Sequence, residues 1–257
     1  MSSPEKPPEA SAESYILGGQ VRLRQPLRGH RVGTDAVLLA ACLPHTAQGV
    51  VLDIGAGVGA VGLAAAVRAA AVSVHLVERD AGQAEFALGN IALNGLQGRA
   101  SVTIVDVLDA KSRRAVGLQD RMANTILTNP PFYKTGTVRA SPEPLKSEAY
   151  AMEASLDDWL RACAALLAPK GTLYMVHLGS ALAQILDATG SRFGDVQIIP
   201  VYSKPEEPAG RVLVRATKGS RAPPSILPGI IMHNDAGYSA QGEAILRGRA
   251  SIRFHKT

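Results

Sequence analysis

Cysteine is scarce in this 257-residue chain: Cys42 and Cys163 stand alone in apolar, helix-like segments, with no Cys-x-x-Cys pair between them. That spacing excludes a disulfide framework and a thiolate zinc site. No apolar run reaches the roughly 20 residues that a membrane-spanning helix requires. The first fourteen residues are rich in Pro, Ser, Glu and Ala and lack the apolar core of a signal peptide. They read as a disordered N-terminal tail (1–14), and the chain as cytoplasmic with no membrane partner. There is no internal repeat.

Hydrophobic residues make up 46% of the chain, enough for one α/β domain with a buried core and a modest extension. Charge is unevenly placed. The whole protein carries a net +5, and the segment from Tyr202 to the end holds nine basic residues against four acids, so it accounts for that excess by itself. A second basic run, Arg22, Arg24, Arg28 and Arg31, contains no acid. Each arginine taken singly reads as solvated surface, and together they suit a polyanionic partner.

Short β-rich runs alternate with Ala- and Leu-rich helical stretches. The pattern predicts strands over 50–54, 72–77, 102–105, 125–128, 172–177, 196–201 and 211–216, and helices near 60–71, 81–94, 156–167 and 181–188. Gly95 is placed to end the second of these helices, Ser155 and Asp158 to cap the third. Such alternation specifies a doubly wound, mostly parallel sheet of seven strands with helices on both faces, binding ligands beyond the carboxyl ends of its strands. One domain over 15–257 is expected, with an N-terminal cap (15–45, a small hairpin followed by a short helix capped by Thr34) and a basic C-terminal extension (218–257).

The strand over 50–54 runs into Asp53-Ile54-Gly55-Ala56-Gly57-Val58-Gly59, with glycine at every second position, where the backbone can bend tightly and approach a ligand. Glu78 closes the next strand, placed to accept from both hydroxyls of a ribose, so the pair points to a nucleoside cofactor. Gly57 to Gly62 also satisfies the dinucleotide pattern G-x-G-x-x-G, a weak match when taken alone. Asp53 beside the loop repels a pyrophosphate but suits the ammonium of a methionine moiety. Its alternative is a local cap on loop amides. Asp106, in Val105-Asp106-Val107, is an acceptor for the cofactor's adenine amine or a cap on the following turn.

The strand over 125–128 ends in Asn129-Pro130-Pro131-Phe132. Two prolines fix the backbone and remove two N–H donors, leaving a rigid turn of acceptors. The Asn129 side-chain oxygen and the Pro130 carbonyl are suited to hold an amino group in the plane of an aromatic ring, with Phe132 stacking on that ring. Holding the amine there draws its lone pair out of conjugation and makes it a nucleophile.

These motifs resemble those of the class I S-adenosylmethionine-dependent methyltransferases acting on exocyclic amines. Within them the chain is most similar to bacterial enzymes that methylate N6 of an adenine beside the anticodon of valine tRNA. Val32-Gly33-Thr34-Asp35-Ala36-Val37-Leu38-Leu39, Leu52 to Gly57 and Asn129-Pro130-Pro131-Phe132-Tyr133 carry the resemblance, with Tyr238-Ser239 echoing the family's tail. It implies S-adenosylmethionine as cofactor and RNA, with tRNA foremost, as partner. It further implies that Asp53, Gly55, Ala56, Gly57 and Gly59 hold the methionine part, Glu78 the ribose, and Asp106 with Val107 the adenine. On the same resemblance Thr34 and Asp35 close over the cofactor, Asn129, Pro130 and Phe132 hold the target base, and Asn129 also borders the cofactor. The same clamp also suits guanine in rRNA, glutamine in a protein factor, or a retired, RNA-binding fold. A nicotinamide oxidoreductase is disfavoured, since the six histidines are scattered and form no hydride-transfer constellation.

Overall fold

Each central strand alternates its side chains between two cores, and that alternation decides what the helices cover. The computed structural model describes residues 11–27, 32–131 and 155–254. The chain runs β1 (Ser11–Ile16), β2 (Val21–Pro26), α1 (Thr34–Cys42), β3 (Gln48–Ile54), α2 (Ala60–Arg68), β4 (Ala71–Glu78), α3 (Ala81–Leu93), β5 (Ala100–Ile104), α4 (Ala110–Ala115) and β6 (Ala123–Thr128). It continues with α5 (Leu156–Leu166), β7 (Leu167–Leu178), α6 (Leu182–Thr189), β8 (Phe193–Tyr202), β9 (Arg211–Lys218), four two-residue strands β10 (Ser225–Ile226), β11 (Ile230–Ile231), β12 (His233–Asn234) and β13 (Gly237–Tyr238), and α7 (Ala240–Leu246).

Seven strands lie in the order β5-β4-β3-β6-β7-β9-β8, parallel except for β9, which is antiparallel to both its neighbours. The sheet is larger than the seven strands expected: β10 and β11 pair in parallel along the outer edge of β8 and make it nine-stranded. Val51, Leu127, Tyr174 and Val176 face a core shared with α1, α2 and α3, while Leu52, Ile54, Ile126 and Met175 face one shared with α5 and α6. Strand order reverses between β3 and β6, where a doubly wound sheet opens a crevice at its carboxyl edge.

Local signals explain most element ends. Asp80 accepts from the Gln83 N–H at 2.8 Å to start α3, and Gly95 follows its end at φ +65°. Ser155 and Asp158 form the expected capping box on α5. Gly33, and not Thr34, is the N-cap of α1, whose residues Ala36–Cys42 are all buried.

The ends of the chain differ from expectation. Residues 11–14 belong to β1 and so are not part of a tail; Val21 and Leu23 of β2 supply the burial that this polar stretch lacks. On α3, Asn90 and Asn94 act as a surrogate strand for β2. Asn90 accepts from the Arg24 N–H (2.7 Å) and donates to the Arg24 carbonyl (2.9 Å), and Asn94 repeats the exchange with Arg22. Asn90 also donates to the Val58 carbonyl at 3.0 Å, tying the cap to the glycine loop. The basic C-terminal extension packs back onto the domain. Met232, Ile245 and Ile252 are buried in the first core, and the buried Arg68 donates to the carbonyls of Gly248 and Ala250 and to the Ser251 hydroxyl.

Replacing Asn90, which is fully buried, by alanine strands three backbone groups at once. Asn90→Ala is expected to lower unfolding free energy by about 2–3 kcal/mol, read as the shift in a urea midpoint. A change within about 0.5 kcal/mol, the range of ordinary surface substitutions, contradicts this role.

Candidate active site

The carboxyl ends of β3 and β6 stand level, with Ile54 paired to Thr128, so the loops that follow them emerge side by side. A cavity of about 740 Å³ opens there. Gly55, Ala56 and Gly57 form its floor, and Glu78 stands at the end of β4. Asp106 and Val107 follow β5, two and three residues beyond its last residue, Ile104. Asn129, Pro130 and Pro131 form the wall after β6, and Thr34 and Asp35 contribute from the start of α1. Ten of the thirteen site residues expected from the sequence therefore line one cavity.

The other three do not. Phe132 lies outside the described residues. Gly59 sits behind the loop as the N-cap of α2 at φ +86°, where a Cβ would come within 2.8 Å of Leu76. Asp53 is only 1% exposed and is absent from the cavity wall; its carboxylate accepts from the Gly62 N–H at 2.8 Å. The carboxylate takes the capping alternative in this structure, and the reason is periodicity. Asp53 shares the face of Val51, so it points under α2, where Gly62 leaves room for it.

Burial pushes the Asp53 carboxyl from its ordinary 3.8 up to about 7; the nearby Glu78 charge adds to this, and the Gly62 hydrogen bond opposes it. Glu78 itself is held from three sides, accepting from Gly57 N–H at 2.8 Å through one oxygen and from Arg79 and Asp80 N–H at 2.8 and 2.9 Å through the other. The acid placed for a ribose thus also shapes the glycine loop. Gly57 has φ +54°, and nothing stands within 4 Å of where a Cβ would project, so the loop presents bare backbone to the cavity. Asp106 accepts from Leu108 N–H at 2.9 Å, and Asp35 is ion-paired with Arg211 at 2.9 Å.

Three residues at the site were not singled out from the sequence. Arg211, at the start of β9, lines the cavity. Trp159, the sole tryptophan, packs over Gly55, where a Cβ would lie 3.2 Å from its ring. Its Nε1–H donates to the Thr128 hydroxyl at 2.9 Å, which donates in turn to the Ile54 carbonyl at 2.9 Å. The one usable signal was alternation in β6, which puts Thr128 on the α5 face beside Ile126. At the head of the next turn the Asn129 side-chain oxygen is buried and has no hydrogen-bond partner among the described residues. A buried acceptor left in this state costs free energy until a donor arrives.

A reversing parallel sheet, a glycine loop leading to a helix, and an acid on the neighbouring strand define a nucleoside-cofactor transferase of the class I methyltransferase type. The chain belongs to the methyltransferase small domain family, whose model matches residues 29–199. It is 30% identical to a tRNA1(Val) (adenine(37)-N6)-methyltransferase of Bacteroides fragilis over 73% of this chain and 77% of that protein. It is 31% identical to the enzyme of the same name from Erwinia tasmaniensis over 72% and 74%. Among solved structures, a predicted O-methyltransferase from Agrobacterium tumefaciens matches with TM-score 0.72 and 32% identity, covering 85% of this chain and 98% of that one. The protein is an S-adenosylmethionine-dependent methyltransferase. The bare glycine floor and the carboxylate of Glu78 fit that cofactor. No helix among the described residues is long and apolar enough to cross a membrane.

The Asp53 environment gives a signed test. A carboxyl whose folded value is raised disfavours the folded state as pH rises through the window from about 4 to about 7. Asp53→Asn removes that titration and keeps an oxygen for Gly62. Its stability relative to wild type is expected to rise steadily across this window in urea denaturation; a difference that is constant with pH contradicts the buried, titrating carboxyl.

Proposed function

We propose that the protein transfers the methyl group of S-adenosylmethionine to N6 of an adenine in tRNA, in the anticodon loop of a valine tRNA. The observation that carries this reading is the buried oxygen of Asn129 at the cavity wall, without a partner among the described residues and followed by two prolines without N–H groups. An exocyclic amine brings two donors, one for Asn129 Oδ1 and one for the Pro130 carbonyl. The names of the relatives supply the RNA and the base. A hydroxyl substrate, as in the name of the Agrobacterium relative, brings one donor and leaves an acceptor unmet.

The cofactor supplies a methyl group already activated on a sulfonium, so the protein has no bond to polarise. Glu78 and the glycine floor bind and orient it. Asn129 and Pro130 hold the amine in a fixed direction, and their hydrogen bonds localise its lone pair. The Thr128 hydroxyl fixes where that turn begins relative to Gly55. Thr34, Asp35 and Arg211 also line the cavity and would close over the cofactor. An anticodon loop presents unpaired bases, so an adenine can leave its stack cheaply.

Purified protein is incubated with methyl-labelled S-adenosylmethionine and unmodified tRNA, rRNA and cell protein in parallel, and the labelled fraction is digested. Label recovered as N6-methyladenosine from tRNA is the expected result. Label confined to guanine of rRNA, to glutamine of protein or to oxygen overturns the substrate assignment. In the same assay Asn129→Ala is expected to lower kcat by about 100–1,000-fold, the scale of losing one preorganised partner, with cofactor affinity by calorimetry unchanged; an equal loss of both contradicts the clamp.

A further inference from the structure

Past the carboxyl end of β8, β12 and β13 form a small antiparallel hairpin in which His233 faces Tyr238, their rings stacked with centroids 4.7 Å apart and planes 27° from parallel. Tyr238 is 50% exposed and belongs to neither core. Tyr15 and Ile226 are exposed to a similar degree, but among these Tyr238 is the ring that a stacked histidine holds in a fixed plane.

The hairpin is rigidly seated. Met232 N–H donates to the Tyr202 carbonyl and His233 N–H to the Ser203 carbonyl, each at 2.9 Å. The His233 ring donates through Nδ1 to the same Ser203 carbonyl at 3.2 Å, which sets the plane of the stack. Ser239 closes the far side: its N–H donates to the Met232 carbonyl at 2.8 Å and its hydroxyl to the Ile231 carbonyl at 2.6 Å.

Register places this stack relative to the catalytic cavity. Arg211, a cavity residue, pairs with Val201 on β8, and Val201 pairs with Ile230 on β11. Two strand spacings, about 10 Å, separate them. His233 follows three residues later, beyond the carboxyl end of β8. Because β9 is antiparallel to both β7 and β8, that end lies on the same edge of the sheet as Gly55 and Asn129.

We propose that the His233–Tyr238 stack is a second nucleobase site, on which an unpaired base flanking the target adenine lies against the open face of Tyr238. It rests on the RNA reading above. Its ligand is an aromatic base and not a phosphate, since Asp235 sits in the hairpin's own turn and Glu206 and Glu207 in the loop after β8, whose Ser203 carbonyl holds His233. Stacking of this kind is tolerant of sequence and fixes the strand while the neighbouring nucleotide turns into the cavity.

The test uses the full chain as wild type, Tyr238→Ala and Tyr238→Phe, with a fluorescently labelled, unmodified valine tRNA transcript as the anisotropy probe. Calorimetry with S-adenosylhomocysteine and a melting curve are run beside it. The alanine variant is expected to raise Kd for the tRNA by about 5–100-fold, the scale of one stacked base. The phenylalanine variant, which keeps the ring face, is expected to bind as wild type, and cofactor-product affinity and melting temperature are expected to stay unchanged in both. Wild-type tRNA affinity in Tyr238→Ala overturns the platform while leaving the RNA reading intact. A parallel loss of S-adenosylhomocysteine affinity, or a phenylalanine variant as weak as the alanine one, also overturns it. A wild-type protein that binds no tRNA overturns both.

Discussion

One buried hydroxyl aligns the two halves of this active site. Thr128 ends β6, and its oxygen joins the carbonyl that ends β3 to the indole N–H of α5. On one side of that bond the chain becomes the glycine floor, and on the other it becomes the Asn129 turn. Parallel pairing of β3 with β6 sets the two ends level; the hydroxyl and Trp159 then stop them from sliding apart where the backbone ladder gives out. A methyl transfer between two bound groups depends on their mutual placement, and misplacement by about an ångström can cost 100-fold in rate.

Around that alignment each half is pinned separately. The floor is held by Asp53 through Gly62 and by Glu78 through Gly57, on the α2 and α3 side of the sheet. The same side carries the cap, which Asn90 ties to Val58, and the returning C-terminal stretch, which Arg68 ties to α2. Elements far apart in sequence are thereby built into one side of the cofactor pocket, while the clamp is supported from the other side by α5.

How much of this was legible beforehand depended on whether a residue's role is local. The glycine loop, Glu78, Asp106 and Asn129 follow strands whose apolar runs are unmistakable, so their shared edge could be read from the alternation of elements. The capping role of Asp53 was legible from period-2 alternation, which sets it on the Val51 face, beneath α2. The role of Thr128 was legible by the same rule but needed the tryptophan 31 residues later as its partner. The pairing of residues 11–14 and the packing of the stretch after 218 were not legible because neither carries its own apolar pattern. Their order comes from partners supplied by β2, α3 and Arg68, which no local window contains. The sheet's extra two strands are two-residue pairings with β8 and leave no periodic trace.

The central claim is that Thr128 aligns the clamp with a floor that is pinned independently. The most direct test is Thr128→Val, which keeps the shape and removes the hydroxyl, assayed at saturating S-adenosylmethionine alongside calorimetry with S-adenosylhomocysteine. The account predicts that kcat falls by about tenfold or more while affinity for the cofactor product stays near wild type, because only the alignment is lost. A variant that turns over normally, or that loses affinity in step with kcat, would contradict it.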